Sequence, residues 1–317
     1  MDPQNVVPEN PSSPHKGILV IFLNQRGLRA GWRLLIFAAL LVVMINVFGV
    51  MAFLLSAALG FPTGTFSPGR QLLVEMSAFL AALVVTWVMS KIEGRKLGDF
   101  GLPLKHSGGP SFVRGYLLWG FVPLSLLLLT MRVLHLFYFG SVVLHQFQIF
   151  YWAAVWGLVF LFVALAEEYL FRAYALSTLA DGLGFWPAAV ILAALFAYIH
   201  TGNPGETRMG IIGTGVFALF ASATIRRTGN LWLAVGAHAG WDWAQSYFYG
   251  VSDSGLQVPG HLMDPRISGP DWLTGGSAGP EGSVFTLVLL MVMTGVFLVV
   301  YKRTPEAFAV GSNGGHS

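Results

Sequence analysis

"FQIFYWAAVWGLVFLFVALAEEYLFRAYALSTL" (residues 147–179) decides what kind of protein this is. The run is apolar for longer than the ~20 residues a helix needs to cross a bilayer core. Yet its second half, "LFVALAEEYLFRAY" (161–174), carries two adjacent glutamates and an arginine. Charge inside a membrane segment is costly and marks function by default.

Composition supports the membrane reading. The chain is 317 residues long, 55% hydrophobic and 10% charged, with a mean hydropathy of +0.67. Soluble domains carry roughly 25% charged residues, so an all-α, polytopic bundle in the lipid bilayer is expected. There are no cysteines, which excludes disulfides, thiolate metal sites, a cysteine nucleophile and lipidation of the chain itself on cysteine. A formal charge of +3 gives no reason to expect a nucleic-acid partner.

Eight spans can be drawn, at about 33–59, 71–91, 113–134, 147–179, 186–201, 209–225, 231–249 and 283–301. Residues 1–17 and 304–317 read as disordered cytoplasmic tails around a single transmembrane domain, 18–303. The segment "ILVIFLNQRGLRAGWR" (18–33) reads as an interfacial helix before the first span. Arg26, Arg29, Arg33, Lys91, Arg95, Lys96, Lys105, Arg226, Arg227, Lys302 and Arg303 all fall on one side of an alternating eight-span chain. By the positive-inside rule that side is cytoplasmic, giving an N-in, C-in topology. The longest opposite loop, 250–282, is rich in Gly and Pro and long enough to fold over the bundle.

Within the spans the ionisable residues are few: Glu167, Glu168, Arg172, His200, His238 and Asp242, with Glu75 and Arg132 near span ends, where they can snorkel or pair. Glu168 and Arg172 are four apart, share a helix face and can pair. Glu167 points about 100° away from that pair. Phe196 and His200 are also four apart, as are His238 and Asp242, so three helices each present a polar face. A carboxylate beside a histidine can bind and deprotonate water. Donors from a third helix can stabilise an oxyanion. These residue types suit a hydrolase that attacks an acyl carbon with activated water.

The motifs carrying that chemistry are "EEYLFR" (167–172), "FAYIH" (196–200) and "HAGWD" (238–242). In this order on successive helices they resemble the CPBP family of intramembrane glutamic endopeptidases, which includes type II CAAX-prenyl endopeptidases and bacterial bacteriocin-processing or immunity proteins. The corresponding core would span about 145–250. The resemblance implies that Glu167 is the general base activating water and that His200 orients that water. Glu168 would be the structural partner of Arg172, and Phe196 a packing residue of its motif. His238 and position 242 would form the oxyanion site. Prenyl-processing members have asparagine where this chain has Asp242; an ionised aspartate cannot donate, so Asp242 can instead orient His238.

The resemblance also implies a membrane-associated peptide or protein substrate, no cofactor and no metal. Together with bacterial-looking loops, it points to the inner membrane of a bacterium. The site is expected to be reached from the membrane or the cytoplasmic side. A zinc-dependent protease, a non-catalytic scaffold or immunity protein of the same fold, and a transporter with a Glu–His proton relay stand as alternatives. The motifs do not separate a prenylated tail from another membrane peptide, and oligomeric state is not legible.

Overall fold

The computed structural model describes residues 19–24, 27–62, 66–102 and 108–302. Both tail assignments lie outside these residues, as do Arg26, Lys105 and Arg303. Among the described residues, eight main helical segments stand where the eight apolar runs were drawn. They are α1 (Ala30–Ala58), α2 (Pro68–Ile92), α3 (Gly108–Val133), α4 (Phe147–Leu183), α5 (Phe185–His200), α6 (Arg208–Thr228), α7 (232–248) and α8 (Val284–Val300). Helices α1, α2, α3, α4 and α6 are long and apolar enough to cross a membrane, whereas α5 and α8 are apolar but shorter.

Lipid explains a surface that water would not tolerate. Val42, Val50, Met51, Phe53 and Leu54 of α1 are more than half exposed, on a helix that is apolar nearly all round. Packing is tight where α7 meets the rest. Helix α7 lies against the first half of α3 and against α4, and "GAHAG" (236–240) makes the approach possible. A methyl group at Gly236 would overlap the carbonyl oxygen of Phe112, and one at Gly240 that of Tyr116. Small residues four apart let membrane helices close backbone to backbone. The glycine face is thus spent on α3, which leaves His238, between the two glycines, on another face.

Three helices contain a wider, π-helical turn: Gly115–Phe121 in α3, Phe171–Ala175 in α4 and Trp243–Phe248 in α7. The second holds Arg172, and the third begins directly after Asp242. Such turns re-aim the side chains that follow and are frequent at functional sites.

The two ends of the bundle differ. At one, Arg33 at the start of α1 binds Glu93 after α2 (2.9 Å) and Asp181 near the end of α4 (3.0 Å). The Tyr174 hydroxyl also donates to Glu93. At the other end, β1 (Phe137–Val142), after α3, pairs antiparallel with β2 (Met263–Ile267), between α7 and α8. The Ser277 hydroxyl donates to the Gly205 carbonyl after α5 (2.6 Å). The start of α1 and the ends of α2 and α4 thus meet at one end, and the chain after α3 meets the chain after α7 at another.

One expectation about the fold needs correction. Among the described residues, segment 18–33 is no continuous interfacial helix: one helical turn, Leu19–Phe22, ends before Leu23, which pairs antiparallel with Leu28. Loop 250–282 is tied to the bundle end by β2, which pairs with β1.

Candidate active site

The three motif helices converge on one cavity of about 250 Å³. Glu167 on α4, His200 at the end of α5, and His238 and Asp242 on α7 all line it. Three neighbours on one helix stretch have separate destinations. Glu168 is fully buried and Arg172 is 3% exposed, while the Glu167 side chain remains 29% exposed and faces the cavity.

Glu167 Oε2 lies 3.9 Å from His200 Nε2 and 3.7 Å from His238 Nε2. These separations are too long for direct hydrogen bonds and suit groups that share a water approached from the cavity side. His200 Nδ1 is 2.8 Å from the Phe196 carbonyl oxygen. A carbonyl only accepts, so Nδ1 carries the proton, and in the neutral ring Nε2 offers its lone pair toward Glu167.

Phe196 does more than fill space. Its carbonyl sets the His200 tautomer, its ring packs on the His200 ring at 4.4 Å, and the Arg172 guanidinium lies 4.4 Å over its centroid. One side chain thereby couples the second motif to the first.

The Glu168–Arg172 contact is present at 3.4 Å, but Glu168 makes a shorter one, 2.9 Å, from Oε1 to His238 Nδ1. Sequence spacing gave no sign of this contact between α4 and α7. Asp242 Oδ2 sits 3.4 Å from His238 Nε2. His238 is therefore held at both nitrogens, by Glu168 on one side and Asp242 on the other. Such second partners fix a ring's orientation and tautomer.

The chain between α7 and α8 roofs the cavity. Asp253, Ser254, Leu256, Val258 and Glu281 contribute to its lining. Gln245 Nε2 donates to the Ser252 carbonyl (2.7 Å), the Ser246 hydroxyl donates to Asp253 Oδ2 (2.9 Å), and the Ser254 N–H donates to Glu281. Burial pushes the Asp253 carboxyl up to about 6, opposed by the Ser246 hydrogen bond and reinforced by neighbouring Glu167 and Glu206. Burial likewise holds Glu281 well above the usual carboxylate range, with Asp253 and Glu206 adding to it.

Glu75, near the start of α2, is paired there, its Oε1 accepting from Gln71 Nε2 at 2.7 Å, and it also lines the cavity, which sequence reasoning did not foresee. Arg132 packs on the Tyr138 ring at 4.9 Å, away from the site. Among the described residues, no group of three or more His, Asp or Glu is arranged to hold a metal ion.

Helical architecture and site define a multi-pass membrane protein with a carboxylate–histidine cavity inside the bundle. Residues 149–244 match the family described as type II CAAX prenyl endopeptidase Rce1-like. This stretch contains all three motifs; the match is consistent with the CPBP and CAAX-protease family and points to a protease. No curated protein and no solved structure matches the chain.

Proposed function

We propose that the chain is an intramembrane endopeptidase that cleaves a membrane-associated peptide or protein with water activated by Glu167, without a metal. The observation that carries this reading is the position of Glu167. Its carboxylate faces Nε2 of both His200 and His238 across one cavity, whereas the adjacent Glu168 is spent on Arg172 and His238.

Water donates one hydrogen bond to His200 Nε2 and gives its other proton to Glu167 as its oxygen attacks the peptide carbonyl carbon. With His238 Nδ1–H donated to Glu168, Nε2 carries a hydrogen for the oxyanion when the ring is an imidazolium. Two carboxylates against that ring, Glu168 and Asp242, stabilise such a cation. Asp242 then acts as a positioning residue. The reaction adds one water and yields a carboxyl and an amine.

All eight helices cross the bilayer in this reading, with the Arg33–Glu93–Asp181 end in the cytoplasm. The cavity is lined by Asn203, Asp253 and Glu281, at the end toward which α5 and α7 run. Access is therefore from the membrane or the non-cytoplasmic side, in place of the cytoplasmic approach expected from sequence. Because the chain has no cysteine of its own, single substitutions test this cleanly. A membrane-impermeant maleimide added to intact cells should label Ser277→Cys and not Lys302→Cys; the reverse pattern inverts the topology.

The functional test compares protein N-termini in membranes of cells carrying the native chain or Glu167→Gln. New N-termini that depend on Glu167 support the reading and identify the substrate. Identical sets at equal expression remove it and leave a non-catalytic binding protein.

A further inference from the structure

Hydrolysis of an amide makes two demands for proton transfer, and the assignments above name a group for one. Glu167 takes a proton from water; the departing nitrogen must receive one, from Glu167 in a second step or from a separate acid, because an amine anion is far too basic to leave. His200 Nδ1 is committed to the Phe196 carbonyl. His238 is held through Nδ1 by Glu168 and through Nε2 beside Asp242.

Three cavity carboxyls, Glu75, Asp253 and Glu281, are left unused by this chemistry; Asp253 and Glu281 accept hydrogen bonds within the roof, which leaves Glu75 on the helix wall. It stands on α2, outside the matched stretch 149–244, and lines the same cavity as Glu167 and His238, with both of which it interacts electrostatically. Gln71, one turn earlier on the same helix face, holds Oε1 at 2.7 Å. The carboxyl is thus pinned by one oxygen, and its second oxygen is available. Among the described residues, no lysine or arginine lines the cavity, and Val159, Phe160 and Val163 supply apolar wall. A carboxyl set in such a wall suits an acid that enters the reaction carrying its proton.

We propose that Glu75 is a second catalytic carboxyl, the general acid that protonates the leaving amine. The assignment rests on the reading of Glu167 as base. Attack of water forms the C–O bond and leaves its proton on Glu167. When the tetrahedral intermediate collapses, the C–N bond breaks, its electron pair goes to nitrogen, and nitrogen takes the proton from Glu75. Glu75 is then a carboxylate and Glu167 a carboxylic acid. One proton passed between them through cavity water restores both.

A leaving group that needs no proton separates this role from a structural one. The peptide identified through Glu167-dependent cleavage is synthesised with its scissile amide and again with a thioester at that bond, since a thiolate departs unprotonated. Glu75→Gln, folded by thermal melting in detergent, is expected to lose about 10²-fold or more of amide cleavage, in the range of general acid catalysis. Thioester cleavage should fall by less than about tenfold on the same grounds. Equal losses on both substrates, or no loss on either, overturn the assignment. If Glu75→Gln does not fold, Glu75→Asp, which retracts the carboxyl while keeping it, makes the same comparison. Glu167→Gln distinguishes the two levels: it should abolish cleavage of both substrates, and full activity in that variant removes the base itself.

Discussion

The bundle treats charge in two opposite ways at its two ends. At the end tied by Arg33, carboxylates face cations: Glu93 and Asp181 share one guanidinium, and Arg95 approaches Glu93 as well (3.9 Å). At the roofed end, Glu75, Glu167, Asp242, Asp253 and Glu281 line a cavity to which, among the described residues, no lysine or arginine contributes. Paired charges hold helices in place at modest net cost. Carboxyls without a lysine or arginine partner in a partly apolar cavity are expensive to keep, and the proposed chemistry accounts for keeping them. The boundary runs through the dipeptide Glu167–Glu168, with one residue on each side of it.

Breaking the paired side should have the larger effect on stability. Arg172→Ala removes the guanidinium from a fully buried Glu168 and from the Phe196 ring. Loss of one partner of a buried pair costs about 3–5 kcal/mol. The lower value is expected, because His238 still bonds Glu168. A fall in thermal stability with recovery in Arg172→Lys fits the account; an unchanged melting temperature would show that the pair is dispensable.

The carboxyl-rich end should respond to pH instead. The folded-state value of Asp253 is raised, from 3.8 to about 6, so the folded state binds more protons across that interval. Its stabilising contribution is fully present below about 4 and is lost as pH rises through about 6. Protection of residues 250–282 from hydrogen exchange, taken relative to the intrinsic rate at each pH, should therefore fall from pH 4 to 7, and Asp253→Asn should flatten that dependence. A flat profile in the native chain contradicts the sign. This is the smallest of the expected effects, since it is local to the roof.

Much of this arrangement was legible in the sequence for identifiable reasons. Apolar length located the helical segments, five of them long and apolar enough to cross a membrane, because such a segment is specified by composition more than by partners. The separation of Glu167 from Glu168 followed from helical geometry. What escaped depended on contacts between helices. The hydrogen bond from His238 to Glu168 joins residues 70 apart, and Glu75 reaches the cavity only because α2 packs on α4. The signal in "GAHAG" was readable as a close-packing motif, but only its histidine was read. Strand β1, "FYFGSV", went unread because a six-residue segment between spans resembles any loop.

The central claim is that Glu167, unlike its neighbour, is there to activate water. The direct measurement is cleavage of the identified peptide by purified protein in proteoliposomes, native against Glu167→Gln and His200→Ala, each with and without a strong chelator. The account expects native activity unchanged by the chelator, Glu167→Gln reduced by about 10³-fold or more and His200→Ala by about 10²-fold, with melting temperatures preserved. Cleavage that survives Glu167→Gln, or that disappears with the chelator, would contradict it.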